Sequence, residues 1–226
     1  MKRPAAFTQT WWQDRGLTTM LVCLGIGIFL APIIEVVGIV DETFFKVVMS
    51  LVLVSGVIAI SGRGAASMAM GLMALLTLLL KWAHFVFHGS VLGAAADAFA
   101  MLSIVLLTTL VLQHVFRAGP ITPDRIRGAI VAYLLVGFFF FEAYQLVSVF
   151  RPEAFHVEDG SGGVKHLHAL AYFSFVTLTT VGYGDITASD PIARSLAVGE
   201  ALIGQLYPAI LIGGLVSMHL ASRDRA

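Results

Sequence analysis

Six long apolar blocks, almost free of charge, constrain this chain more than any other feature. They fall at about 17–38, 43–61, 65–84, 93–116, 129–150 and 193–220. Each approaches the ~20 residues that an α-helix needs to cross the hydrocarbon core of a bilayer. A helix pairs its own backbone N–H and C=O groups, so it can stand in lipid where an open strand cannot. Only 12% of the 226 residues are charged and 58% are apolar, about half the charge of an average soluble domain. Too little polar surface remains to face water. The expected fold class is therefore an all-α integral membrane protein with six transmembrane helices.

The formal net charge is zero, so no nucleic-acid partner is expected. The single cysteine, Cys23, lies in the first block and has no intrachain partner for a disulfide. The start, Met1 to Arg15, is polar and basic like the leading part of a signal peptide. The stretch from Leu17 to Val37 is long for such a peptide and lacks a clear small-residue cleavage site, so it reads as a retained span.

Lys and Arg set the orientation. With the N-terminus inside, the inner side receives Lys2, Arg3, Arg15, Arg63, Arg117, Arg125, Arg127, Arg223 and Arg225. The outer side receives the smaller set of Lys46, Lys81, Arg151, Lys165 and Arg194, with Lys46 near enough to a helix end to snorkel. Both termini are expected in the cytoplasm of a multi-pass protein of the cell membrane. Few residues follow the sixth block, so a large cytoplasmic gating domain is expected to come from another chain.

A different segment separates the fifth and sixth blocks. Residues 151–165 are polar and Gly-rich, with Arg151, Pro152, Glu153, Gly160, Gly162 and Gly163. The apolar run from His166 to Thr179 is too short to cross as a helix and is expected to be re-entrant. It leads straight into Thr180, Val181, Gly182, Tyr183, Gly184 and Asp185. Pointing consecutive carbonyls one way needs backbone angles that side chains disfavour, and Gly182 and Gly184 supply that freedom. Non-helical backbone at membrane depth is tolerated where it lines a watery cavity.

Residues Thr177 to Asp185 resemble the signature of the potassium-channel family, and the resemblance extends over about 129–220. It implies a potassium-selective channel subunit in which carbonyl oxygens replace the water shell of the ion. K+ would be held at Thr180, Val181, Gly182 and Tyr183, with Gly184 completing the filter. The resemblance further implies a pore domain at 129–226, behind an N-terminal tail and four-helix membrane domain at 1–128. It implies a homotetramer, each chain meeting three identical subunits, with K+ as the permeant ligand and no cofactor.

Thr177, Thr179, Asp185, Tyr172, Val176 and Glu200 are the expected filter supports. Two of these depart from the family pattern. Val176 stands where many members carry an acid, and Tyr172 stands where a tryptophan often donates to the aspartate after the filter. The Tyr172 hydroxyl can still donate to Asp185, and Tyr172, Phe173 and Phe175 can form an aromatic cuff around Tyr183.

Counted from the filter without gaps, Gly204 falls where the family's inner helix has its hinge glycine. Pro208 removes the helical hydrogen bond to the Gly204 carbonyl, so a bend is expected there. The competing reading is a glycine used for close helix packing. Glu200, one turn earlier, is an ionisable residue inside a membrane and is expected to accept hydrogen bonds from the pore helix, with Thr177 as donor.

The fourth block carries Asp97, His114 and Arg117 but no arginine ladder, so steep voltage gating is not expected. His84, His88, His156, His166 and His168 fall on the outer side and admit proton sensing, although such residues are often ordinary interface residues. Other functions compete. A transporter of this architecture would carry four weakened pore loops in a longer chain. A non-conducting regulatory subunit is disfavoured by the complete filter. A haem-binding electron carrier would use His84, His88 or His114, but the first two share a helix face and His114 lies at the other membrane side. No metal-ligand cluster, nucleophile motif or phosphate-cradling loop points to an enzyme.

Overall fold

The computed structural model describes residues 5–30, 42–60, 65–87, 89–117, 122–157 and 167–223. These form seven helices and one short strand pair. The helices are α1 (Ala5–Phe29), α2 (Glu42–Ile60), α3 (Ala65–Phe87), α4 (Ser90–Val115), α5 (Pro123–Phe150), α6 (Leu167–Leu178) and α7 (Pro191–Arg223). Strands β1 (Phe155–Val157) and β2 (Ile186–Ala188) pair antiparallel.

Among the described residues, four helical stretches are long and apolar enough to cross a membrane: Ser67–Phe87, Ser90–Val115, Pro123–Phe150 and Pro191–Gly214. The apolar parts of α1 and α2, Gly16–Phe29 and Lys46–Ala59, are shorter. The chain is thus a multi-pass membrane protein built from helices. Helix α1 begins at Ala5, well before the apolar block that predicts it, and the expected end of that span at 31–38 lies outside the described residues.

Helix α5 is the hub, packing against α1, α4, α6 and α7. It opens on Thr122 in extended conformation and Pro123 in the first turn, where a missing N–H costs nothing. Asp124 places a negative charge at the positive end of the helix. Along its length Val131, Leu135, Phe138, Phe141 and Tyr144 are buried. The Phe138 ring meets Phe141 and Phe175 edge-on, with centroids 6.3 and 5.5 Å apart. Such pairs are favoured beyond their buried area.

Two buried acids share one half-buried ammonium where α3 and α4 meet α5. Lys81 Nζ on α3 lies 2.9 Å from Asp97 on α4 and 2.7 Å from Glu142 on α5. The Lys81 side chain is 11% exposed and that of Glu142 is 2% exposed. Lys81 therefore belongs inside the helix bundle, not among the outer interfacial charges. Lys46 is buried as well, its ammonium 4.8 Å from the centre of the Phe85 ring, a cation–π contact rather than a snorkelled end.

The β1–β2 pair, absent from the sequence expectation, ties the two ends of the α6 segment together. Phe155 opposes Ala188, His156 opposes Thr187 and Val157 opposes Ile186. The Ser189 N–H donates to the Ala154 carbonyl at 2.8 Å, extending the tie. Asp190 then starts α7: its Oδ1 accepts the Ile192 N–H at 2.8 Å, and its Oδ2 meets Arg151 at 2.5 Å. Desolvation pushes the Asp190 carboxyl up, but the Ile192 N–H, the Arg151 guanidinium and the Ala193 N–H outweigh it and hold it below its ordinary value.

Candidate functional site

The strand after α6 hangs from the last turn of that helix by backbone bonds. The Thr179 N–H donates to Phe175 O at 3.0 Å and the Thr180 N–H to Thr177 O at 2.9 Å. The Val176 carbonyl accepts two amides, Val181 at 3.0 Å and Gly182 at 3.3 Å. Val176 thus acts through its carbonyl, which any residue there would supply. The Thr179 hydroxyl also turns back, donating to Phe175 O at 2.7 Å.

Beyond that anchor the backbone alternates in hand. Thr180, Gly182 and Gly184 have φ of 59°, 57° and 84°, and Thr180 is the only non-glycine with positive φ among the described residues. In an ordinary strand successive carbonyls point to opposite sides. Reversing the hand at every second residue turns alternate peptide planes over, so carbonyls gather on one edge and N–H groups on the other. A Cβ built on Gly182 or Gly184 would meet nothing within 4 Å, so glycine is required there by conformation and not by space. Thr180 carries a cost of about 1–2 kcal/mol in this region. The sequence marks the two glycines as left-handed and places Thr180 in the filter, but not its positive φ; stepping back by two from Gly182 is the signal that finds it.

The strand is on the outside of the single chain. Residues 179–184 are exposed, Val181 at 52% and Tyr183 at 72%. The neighbouring face of α7, with Val198, Leu202, Leu206 and Ile210, is exposed too.

Behind the strand, α6 is seated by polar contacts from both flanking helices. Ser174 Oγ lies 2.7 Å from Gly137 O on α5 and 2.5 Å from Glu200 Oε1 on α7. The Tyr144 hydroxyl donates to Glu200 Oε2 at 2.6 Å. Glu200, Ser174 and Tyr144 are fully buried. The α6 partner of Glu200 is therefore Ser174 rather than Thr177, because it is the Ser174 face of the helix that looks at the α5–α7 groove. Lower down, the Tyr133 hydroxyl donates to Leu178 O at 3.2 Å and Tyr207 donates to Ala129 O at 2.7 Å.

The aromatic residues of α6 do not form a cuff around Tyr183 within the subunit. The Phe173 ring packs on Tyr144 and Phe155, at 5.1 and 5.4 Å, and Phe175 packs on Phe138. Both are drawn into the core around α5. Tyr172 is exposed and is not drawn into that core.

Gly204 has a packing reason that its reading as a hinge did not supply. A Cβ there would overlap the carbonyl oxygen of Leu178, where α6 ends. Helix α7 runs unbroken from Pro191 to Arg223 through Gly204 and Pro208. Among the histidines, His84 packs against Gly93 and its Nδ1 has no hydrogen-bond partner among the described residues, while His114 Nε2 lies 2.9 Å from Asp124 Oδ2. His156 is exposed in β1. His88, His166 and the side chain of His168 lie outside the described residues.

Residues 128–220, which hold α5, the strand pair, α6, the exposed strand and most of α7, match a family model described as "Ion channel". The rice protein "Two pore potassium channel c" (Oryza sativa subsp. japonica) is 39% identical over 92 residues, 40% of this chain and 18% of that protein. "Protein LctB" of Bacillus caldotenax is 32% identical over 83 residues, 35% of this chain and 61% of that protein. "Protein LctB" of Geobacillus stearothermophilus is 46% identical over 41 residues, 18% of this chain and 30% of that protein. The chain thus covers less than two thirds of each relative's length, and no solved structure matches it. The part of the chain that builds the site is the part that is similar to ion-channel domains.

Proposed function

We propose that the chain is one subunit of a potassium-selective channel, in which four copies gather their 180–184 strands around a common axis. The observation that carries this reading is the alternating hand at Thr180, Gly182 and Gly184 on a strand exposed at the surface of the single chain. Stripping water from a cation is costly, so a selective pore must offer a comparable set of oxygens. The carbonyls of Thr180, Val181, Gly182 and Tyr183, with the Thr180 hydroxyl, provide stacked rings of them once several strips face each other.

One chain supplies one strip, and closing a ring requires rotational symmetry. The exposed apolar face of α7 is then covered by neighbouring copies or lines the inner cavity. The C-terminal end of α6 aims its partial negative charge at the ion path, a modest addition to the carbonyl rings. In this reading all six long helices span the cell membrane, with both chain ends in the cytoplasm and the β1–β2 pair outside. Helix α4 holds its one acid, Asp97, paired with Lys81, and the channel is not steeply voltage-gated. Pro208, which deprives the Gly204 carbonyl of its helical donor, is where the lower part of α7 bends on opening. The similarity of 128–220 to ion-channel domains, and the printed name of the rice relative, support the same assignment.

The test is flux from liposomes carrying the pure protein. Potassium efflux should exceed sodium efflux by at least an order of magnitude and be blocked by barium. Equal fluxes of the two ions would contradict the assignment.

A further inference from the structure

From the oxygen contacts around Glu200 we infer that this residue is held as a neutral carboxylic acid, a positioning residue that ties α6 to both flanking helices through its own proton.

Three contacts join five oxygens in a row. Tyr144 Oη lies 2.6 Å from Glu200 Oε2, Glu200 Oε1 lies 2.5 Å from Ser174 Oγ, and Ser174 Oγ lies 2.7 Å from Gly137 O. Every one of these separations is that of an O–H···O bond, which needs one proton. The Tyr144 and Ser174 hydroxyls bring one proton each, and the Gly137 carbonyl brings none. Two protons cannot serve three contacts. The third belongs to Glu200. The row then reads in one direction: Tyr144 donates to Oε2, the Oε1 hydroxyl donates to Ser174, and Ser174 donates to Gly137.

An ionised Glu200 would leave Ser174 with one proton between two acceptors. One short contact would then set two lone pairs against each other in a dry interior, where an unpaired polar contact is costly. Among the described residues no compensating cation is at hand. The titratable group facing Glu200 from α5 is Tyr144, with Tyr133 farther along the same helix, and α6 presents Ser174. Among the described residues no lysine, arginine or histidine forms an ion pair with Glu200. Glu142, on α5 two residues before Tyr144, is engaged by Lys81. A neutral acid is also far cheaper than a carboxylate to keep at membrane depth.

The consequence is a seat for α6 that depends on a proton. Loss of that proton to solvent leaves Ser174 able to serve either Gly137 or Glu200 but not both, and α6 gives up one of the two holds made through Ser174. The effect on ion flux rests on the pore reading above; the protonation itself does not.

The experiment is infrared difference spectroscopy on the full-length protein in lipid at neutral pH, comparing the parent with Glu200→Gln. The parent should show a protonated-carboxyl C=O band that the variant lacks. Carboxylate bands lost in its place would overturn the inference. Tyr144→Phe provides a second reading that does not depend on the first variant folding. The band should persist and move to higher wavenumber, because the Oε2 carbonyl loses its donor, and an unmoved band would also overturn the inference. Flux should fall at alkaline pH in the parent and stay level with pH in Glu200→Gln; a parent flux that stays level would overturn the positioning role. A correct infrared result in a protein that passes no potassium would sink the pore reading alone.

Discussion

The backbone of Gly204 in α7 runs against the carbonyl of Leu178 with no room for a methyl group between them. The obstacle is main chain and cannot rotate away. Gly204→Ala is therefore expected to destabilise the folded protein by roughly 1–3 kcal/mol, the range of overpacking in a tight interior. Gly71→Ala is the control, since a Cβ there meets nothing within 4 Å. Melting temperature in detergent checks both. A Gly204→Ala protein melting with the parent would remove the packing role.

Pro208→Ala acts in the opposite sense. It returns a donor to the Gly204 carbonyl and removes the proline ring from the helix interior, an effect on the order of 3 kcal/mol in an isolated helix. Helix α7 should become stiffer, with the protein still assembled and the open probability in single-channel recordings lowered. Unchanged gating would dismiss the bend at this turn.

The Lys81 ammonium holds two carboxylates at once. Lys81→Met leaves both acids buried without a cation, and breaking such a pair costs about 3–5 kcal/mol. Adding Asp97→Asn and Glu142→Gln removes the stranded charges and should recover most of the loss. Thermal unfolding of the single and triple variants measures this. A Lys81→Met protein as stable as the parent would show that the triad carries no structural weight.

Gly182→Ala tests conformation without crowding. Its Cβ meets nothing within the subunit, but φ is 57°, at a cost of about 1–2 kcal/mol. The variant should fold and insert in membranes while losing the preference of potassium over sodium in liposome flux. Retained preference would contradict the carbonyl geometry.

Asp190 ties the start of α7 to Arg151, and its carboxyl is held below the ordinary value of 3.8. A depressed acid contributes stability above its unfolded value and loses it as pH falls through the folded one. Asp190→Asn should thus melt below the parent at neutral pH, with the gap closing below about pH 4. A gap independent of pH would assign the effect to packing.

Hydropathy located the helices well because crossing a bilayer demands a length of apolar chain that is visible in one dimension. The expected 43–61 and 65–84 match α2 and α3 closely, and 166–179 matches α6. Hydropathy gives depth but not direction around the helix axis. That is why Ser174 and Tyr144 escaped notice and Lys81 was assigned to the outer side: each matters through the helix it faces. Glu200 stood out as an acid in an apolar block, yet its α6 partner depended on which side of that helix looks inward. Gly204 was visible as a glycine, but its neighbour Leu178 belongs to another element. The strand pair was hidden in two three-residue segments that pair only because α6 returns the chain to its starting level.

The central claim is that main-chain oxygens of Thr180 to Tyr183 stand in for an ion's water around a shared axis. It is tested most directly by anomalous diffraction from crystals of the lipid-embedded protein grown with thallium in place of potassium. The account predicts a file of thallium peaks on a fourfold axis, each ringed by carbonyls from four chains. Strands 180–184 facing lipid, or no ordered thallium between them, would contradict it.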